Sequence, residues 1–299
     1  MQIDPVPLMV IVLSPLAWAS AWYQWVRPHR ALGPSTVALL TLLAITFMGG
    51  FGGAFVWWFP ELGVFGWKLP LLASRLLSGA GLAFALISMS ALRFPTPGRV
   101  RLALIWLAVY LWPVALAALF AHLDRFDFSQ ALVPAFFAVV ALMTGAATWF
   151  LVRRPWRLPD TKLPVPAAGA ASATAIWLAL IACFFMVWSV LLFATDKGFS
   201  AAIWAWPGDL LTTRLIAAML LTLSVGAWIT RHDADLSGLM LGAITIYGLT
   251  AVTAHTVNAA MGRPFKISYC VAFGIAAIVS TGLLIARSRG HRMPTSRSG

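Results

Sequence analysis

Charged side chains are scarce in this sequence, and their scarcity excludes a soluble globular protein. Only 10% of the 299 residues are charged, while 61% are hydrophobic. A soluble domain carries about 25% charged and roughly 45–50% apolar residues, so one water-soluble core would leave a large apolar excess exposed. A lipid bilayer removes that conflict, and the 15 tryptophans suit the membrane–water interface.

Acidic residues and cysteines are also rare, which removes several classes of site. No Asp or Glu lies deep in a hydrophobic run, which argues against proton-coupled transport through carboxylates. The two cysteines, Cys183 and Cys270, lie in separate apolar runs and are expected to be small buried hydrophobes. The chain has no Walker loop, no metal-binding cysteine spacing and no catalytic Ser/His/Asp arrangement. We therefore expect no cofactor and no metal site, and the sequence gives no positive sign of an enzyme.

Basic residues are in excess, with a net charge of +12, but they do not indicate nucleic acid as a partner. They stand in short clusters between apolar runs and form no basic face with interleaved aromatic residues. Their expected role is to set membrane topology and to contact anionic lipid headgroups.

Nine apolar runs are long enough to cross a bilayer as helices, for which about 20 residues are needed. They predict an all-α, polytopic transmembrane helical bundle with spans at 7–26, 35–59, 71–92, 102–121, 129–152, 168–194, 210–229, 236–259 and 267–286. The first run could instead be a signal peptide. It lacks a basic leading region and Asp4 precedes it, so we interpret it as a retained helix.

The distribution of charge predicts the orientation of these nine helices. With the N-terminus outside and the C-terminus in the cytoplasm, two thirds of the basic residues and one third of the acidic residues fall on the cytoplasmic side. This is the bias that the positive-inside rule requires. Omitting the first helix would invert every later loop and reverse the agreement.

A repeated motif predicts an internal duplication. Residues 67–76 read WKLPLLASRL and residues 206–215 read WPGDLLTTRL, so both fit W-x3-LL-x2-RL. An Ala-His pair follows late in each half, at His122 and at His255. Because an even number of helices per copy preserves direction, the two copies would be parallel. Chance similarity between apolar helices is the alternative.

The duplication predicts five segments along the chain. They are an N-terminal helix with its basic flank (1–34), a first four-helix repeat (35–153), a cytoplasmic linker (154–167), a second four-helix repeat (168–289) and a disordered basic tail (290–299). The linker is rich in proline and basic residues, as expected at a boundary.

Arg75 and Arg214 are the first candidates for a substrate-binding site. Each lies about one turn inside a predicted helix, and each could bind a phosphate or carboxylate group bidentately. Alternatively, each could extend to the interface, bond to backbone carbonyls, or pair with Asp209 or Glu61. Trp67 and Trp206 would cover these arginines, or would simply belong to the aromatic belt.

His255 and Asn258 are the second candidates, because Thr250, Thr253 and Thr256 lie beside them on one helix. A helix this polar is expected to face protein or a water-filled cavity, although hydrogen bonds between helices could also account for it. His122 stands among charged residues and is expected to lie in a solvated loop. The glycine-rich stretch 49–53 is expected to allow close helix packing, and a partly unwound segment is the alternative.

The stretch from Trp206 to Arg231, and the sequence AHLDRFDF at 121–128, resemble a group of uncharacterised bacterial multi-pass membrane proteins. The resemblance implies a bacterial cytoplasmic membrane and carries no activity.

Three functions remain open on the sequence. The first is a small transporter, channel or flippase-like protein for an anionic or amphipathic small molecule or lipid. The second is a non-catalytic subunit or scaffold that packs against other membrane proteins. The third, an intramembrane enzyme acting on lipid headgroups or holding a cofactor such as haem, has the least support because no general acid–base pair is visible.

Overall fold

The long apolar runs of the sequence form long helices. The computed structural model describes residues 18–59, 69–129, 132–158, 168–195, 203, 209–263 and 265–290. Its long helices are α1 (Pro34–Trp58), α2 (Leu71–Arg93), α3 (Pro97–Leu116), α4 (Leu132–Arg153), α5 (Ala168–Ala194), α6 (Leu210–Thr230), α7 (Ala234–Ala260) and α8 (Ile267–Gly290).

All eight helices are long and apolar enough to cross a membrane, which confirms the predicted all-α bundle. Their outer faces carry large apolar side chains. Phe120 is 82% exposed, Val152 is 73% exposed and Ile278 is 72% exposed. In water such faces would strongly favour aggregation, whereas in lipid they are solvated. The chain is therefore a multi-pass integral membrane protein.

The ninth predicted helix, at 7–26, lies mostly outside the described residues. Its described end is helical from Trp18 and continues as a π-helical turn (Trp22–Val26) and a 3-10 helix (Arg27–Leu32). This end packs on α1: the Trp22 indole donates to Thr41 at 3.1 Å, and the ring of Trp25 meets that of Phe47 edge-on at 5.4 Å.

The chain divides into two compact units, Met1–Thr161 and Lys162–Gly299. The division falls within the linker predicted at 154–167. In the first unit α1 packs mainly on α2 and α3 on α4, and in the second α5 packs mainly on α6 and α7 on α8. The pairing order is thus the same in both units, while the duplication itself remains a prediction.

The most buried span of each unit is its second long helix. In α2, 83% of the apolar window is buried, and in α6 the share is 78%, against 50% or less in the other spans. A polar side chain on α2 or α6 is therefore expected to pack against protein and not to face lipid.

Small residues bring the paired helices into backbone contact. A Cβ on Gly50 of α1 would lie 2.6 Å from the carbonyl oxygen of Gly81 of α2, and one on Gly81 would lie 2.5 Å from that of Gly50. In the second unit a Cβ on Gly248 would lie 2.7 Å from the Phe273 carbonyl oxygen. Gly50 thus has the packing role expected of the stretch 49–53, and that stretch is helical throughout.

The prediction that both cysteines are buried is wrong. Cys183 is exposed on α5 and Cys270 is half-buried on α8. Cys183 and Cys270 both lie within apolar spans. A small apolar side chain is as well accommodated on a surface that faces lipid as in a protein core.

Candidate functional site

Arg75 is the fifth residue of α2 and lies against the end of α1. It is 5% exposed, and its guanidinium carbon lies 5.7 Å from the centre of the Trp58 ring. The preceding residue, Ser74, donates its hydroxyl to the Trp57 carbonyl at 2.6 Å. The C-terminal end of a helix carries partial negative charge, so the position favours a cation.

Arg214 is the fifth residue of α6 and occupies the corresponding place in the second unit. Its Nε donates to the Phe193 carbonyl oxygen at 3.1 Å, near the end of α5, and its guanidinium carbon lies 5.4 Å from the Phe193 ring. It is half-buried. Each unit therefore holds an arginine by an aromatic ring at the end of the preceding helix. We call this end of each unit its arginine end.

The sequence left open whether Arg214 extends to the interface, bonds to a backbone carbonyl, or pairs with Asp209 or Glu61. The side chain does bond to a backbone carbonyl, which was one of these alternatives. Asp209 caps α6, and its carboxylate accepts from the backbone N–H of Thr212 at 3.2 Å and from the Thr212 hydroxyl. Glu61, Trp67 and Trp206 lie outside the described residues, so the expectation that the tryptophans cover the arginines stays a prediction.

His255 is buried near the end of α7, at the arginine end of the second unit. It is 1% exposed, and its Nδ1 lies 2.8 Å from the carbonyl oxygen of Ala251. A carbonyl only accepts, so Nδ1 carries a proton, and in the neutral ring Nε2 is an acceptor. Within the described residues this buried Nε2 has no hydrogen-bond partner.

Aromatic residues surround His255. Its ring stacks on Tyr269 of α8 at a centroid distance of 5.4 Å, and the Tyr269 hydroxyl donates to the carbonyl of Ile203. Trp188 of α5 meets Tyr269 edge-on at 4.8 Å and stacks on Phe273 at 5.5 Å. Trp188 and Tyr269 were not anticipated, because aromatic residues are common throughout the chain. The one sequence signal available for this cluster is the spacing of four residues between Tyr269 and Phe273, which places both rings on one face of α8.

Asn258 lies one turn beyond His255 on the same face of α7 and is 6% exposed. The structure thus brings these two predicted residues together at the end of one helix. Arg75 belongs to the first unit and is described with that unit.

The threonines of α7 form hydrogen bonds within their own helix. Thr250, Thr253 and Thr256 each donate to the carbonyl four residues earlier, at 2.8, 2.8 and 3.0 Å. Thr253 and Thr256 are exposed. Bonds within the helix therefore satisfy these hydroxyls, and the expectation that this polar helix faces protein or water stays a prediction.

His122 is buried, so the expectation of a solvated loop is wrong for this residue. It directly follows a π-helical turn (Ala117–Ala121) and is 6% exposed, whereas Asp124, Arg125 and Asp127 beside it are exposed. The charged neighbours of His122 are solvated, but the histidine itself folds inward.

A groove lies between α3 and α4 in the first unit. It has a volume of about 380 Å³, within the range of about 300–1,000 Å³ typical of small-molecule sites. We call it the α3–α4 groove. Its lining residues are Trp112, Ala115, Ala118, Leu119, Phe136, Phe137, Val140, Ala141, Thr144 and Gly145.

The described residues contain no cluster of three or more His, Cys, Asp or Glu side chains that could hold a metal ion. No family model matches the chain, and no curated protein and no solved structure shows a significant similarity to it.

Proposed function

We propose that this membrane protein is a small transporter or flippase-like protein that handles an anionic, amphipathic small molecule or lipid. The observation that carries the proposal is the arginine at the same place in both units, at the fifth position of the most buried helix. A charged residue inside a span is costly and usually marks a binding site or pathway.

The arginines have the chemistry that an anion requires. Guanidinium is always charged and presents a planar fork of donors that matches phosphate and carboxylate groups. The bond from Arg214 to Phe193 and the adjacent ring hold this fork in one orientation. A fixed donor loses less conformational entropy when a ligand binds than a mobile one.

His255 and Asn258 supply polar contacts at the arginine end of the second unit. The Nε2 lone pair of neutral His255 accepts a hydrogen bond, which suits a ligand that carries a hydroxyl or amine beside its anionic group. The buried aromatic rings around it suit the apolar part of the same molecule.

We also propose the bacterial cytoplasmic membrane as the location, with the arginine ends outside. The positive-inside bias supports this orientation, because it assigns most basic residues to the opposite ends of the helices.

The first test is native mass spectrometry of the protein extracted gently from its own membrane, followed by thermal unfolding of variants with the retained molecule added back. Arg214→Ala is expected to abolish the ligand-dependent rise in unfolding temperature. Arg231→Ala is the matched control, because Arg231 directly follows the other end of α6, where its guanidinium packs on Trp228; it is expected to keep the rise.

Two outcomes would contradict the proposal. If Arg214→Ala unfolds normally and keeps the full ligand-dependent rise, the arginine is only a structural anchor. If the extracted chain instead carries a protein subunit in fixed stoichiometry and no small molecule, the chain is a scaffold in a larger complex.

A further inference from the structure

The α3–α4 groove presents hydrocarbon and offers no polar group. Four of its lining residues are small (Ala115, Ala118, Ala141 and Gly145) and three are aromatic (Trp112, Phe136 and Phe137). The polar side chains that line it bond within the unit. The Thr144 hydroxyl donates to the Val140 carbonyl at 2.6 Å, and the Trp112 indole donates to Thr148 at 3.1 Å.

The groove opens away from the core of the first unit. Trp112 is 47% exposed, whereas Trp106 on the same helix is fully buried, and Leu119 at the other end of the lining is also 47% exposed. Both α3 and α4 are spans, so this opening faces the hydrocarbon of the bilayer. An occupant therefore enters from lipid and has to be apolar where it lies in the groove.

The groove suits a narrow apolar occupant. It has a volume of about 380 Å³ and lies between two neighbouring helices. An alkyl chain is thin and flexible enough to follow the channel between the aromatic rings.

Charged residues lie at one end of the groove. The ring of Phe126 contacts those of Phe136 and Phe137, at centroid distances of 6.0 and 5.0 Å, which fixes the loop after α3 against the lining. The adjacent Arg125 and Asp124 are exposed. A phosphate group complements Arg125, and an ammonium group beside it complements Asp124.

From these contacts we infer that the α3–α4 groove is a binding site for one phospholipid, with an alkyl chain in the groove and a phosphoethanolamine-type headgroup at Arg125 and Asp124. Arg75 is not among the lining residues, so this inference stands independently of the proposed function.

Gly145→Leu tests the site by filling it. Gly145 lines the groove, and a Cβ placed on it meets nothing within 4 Å, so there is open space where a larger side chain begins. Gly282→Leu is the matched control: it lies on α8, the last helix of the second unit, and its Cβ also meets nothing within 4 Å. Both changes remove a helix glycine, so they alter helix propensity alike.

The measurement is native mass spectrometry of full-length protein after detergent exchange that strips loosely bound lipid, with titration of phosphatidylethanolamine. Wild type and Gly282→Leu are expected to retain one phospholipid per chain. Gly145→Leu is expected to weaken binding by about tenfold or more, because it displaces several methylene groups from the groove. Arg125→Gln is expected to weaken binding of the phospholipid but not of a diacylglycerol, which has no phosphate.

Equal retention by wild type and Gly145→Leu, with both chains folded, would overturn the inference. It would also be overturned if Gly145→Leu and Gly282→Leu lost lipid to the same extent, since that result indicates annular lipid only. Gly145→Ala adds a single methyl group and is expected to bind as wild type, which separates filling of the groove from a general defect in folding.

Discussion

Arg75 and Arg214 show how a charged residue is accommodated in an apolar span. Each is placed at the negative end of the preceding helix, beside an aromatic ring that a cation can also approach. These contacts lower the cost of the charge. They also fix the guanidinium in one orientation, so stabilising the fold and presenting a cation to a ligand are compatible roles.

His255 poses the opposite problem, since its ring has one satisfied and one unsatisfied nitrogen within the described residues. A buried acceptor without a partner costs about 1–3 kcal/mol, and a ligand that donates a hydrogen bond would recover this energy.

His255→Phe separates the structural role of this residue from its binding role. Phenylalanine keeps a flat ring against Tyr269 and removes the unsatisfied Nε2, at the loss of the bond to Ala251. A hydrogen bond inside a membrane protein contributes about 0.6 kcal/mol on average. We therefore expect the free energy of unfolding to stay within about 1 kcal/mol of wild type, while stabilisation by the ligand is lost. Unfolding in mixed detergent, with and without ligand, measures both quantities.

The control is His255→Ala, which removes the ring as well and is expected to lower stability by about 2–4 kcal/mol through the cavity it leaves. A large loss of stability in His255→Phe would show that Nε2 is bonded within the chain, and the binding role would then fail.

The α1–α2 pair illustrates what glycine contributes to an element. Gly50 and Gly81 face each other so closely that the backbones touch. Association of helices in lipid depends on such packing, because burial of apolar surface gives little advantage when the solvent is itself apolar.

Gly81→Ala is expected to destabilise the first unit by about 1–3 kcal/mol, because its methyl group would overlap the Gly50 carbonyl and force the helices apart. Gly49→Ala is the matched control, since a Cβ there meets nothing within 4 Å, and it is expected to be neutral or slightly stabilising. Chemical unfolding followed by tryptophan fluorescence distinguishes the two. Similar stability in both variants would contradict the close contact.

The spans could be predicted from the sequence because length and apolar character are local properties, and the eight described helices agree with the prediction. The buried faces could not, because a membrane helix is apolar on all sides and its pattern does not show which face meets protein. This is why Cys183 was expected in the core and is exposed.

The candidate site was predictable only in part, for a related reason. The spacing of Arg75 and Arg214 identified two positions that both lie beside an aromatic ring at the end of the preceding helix. The partners of these arginines come from the preceding helix, and no sequence pattern marks Trp58 or Phe193 as such a partner. His122 was assigned to solvent because its neighbours are charged, yet packing buries it.

At the scale of the whole molecule, the two units share an order of helix pairing and a position for one arginine. A parallel duplication would explain both features. In each unit the arginine lies near the start of a span. The orientation of the chain therefore decides which side the arginine ends face.

Single cysteines at the two ends of α7 test this orientation. In a Cys183→Ser, Cys270→Ser background, His232→Cys and Met261→Cys place thiols at exposed positions before and after the helix. If the arginine ends are outside, a maleimide that cannot cross the membrane labels Met261→Cys in intact cells, while His232→Cys reacts only after the cells are opened. The reverse pattern would place the arginine ends in the cytoplasm. The positive-inside assignment would then be wrong, and a ligand would have to reach Arg75 and Arg214 from the cytoplasm, so the direction of any transport would be reversed as well.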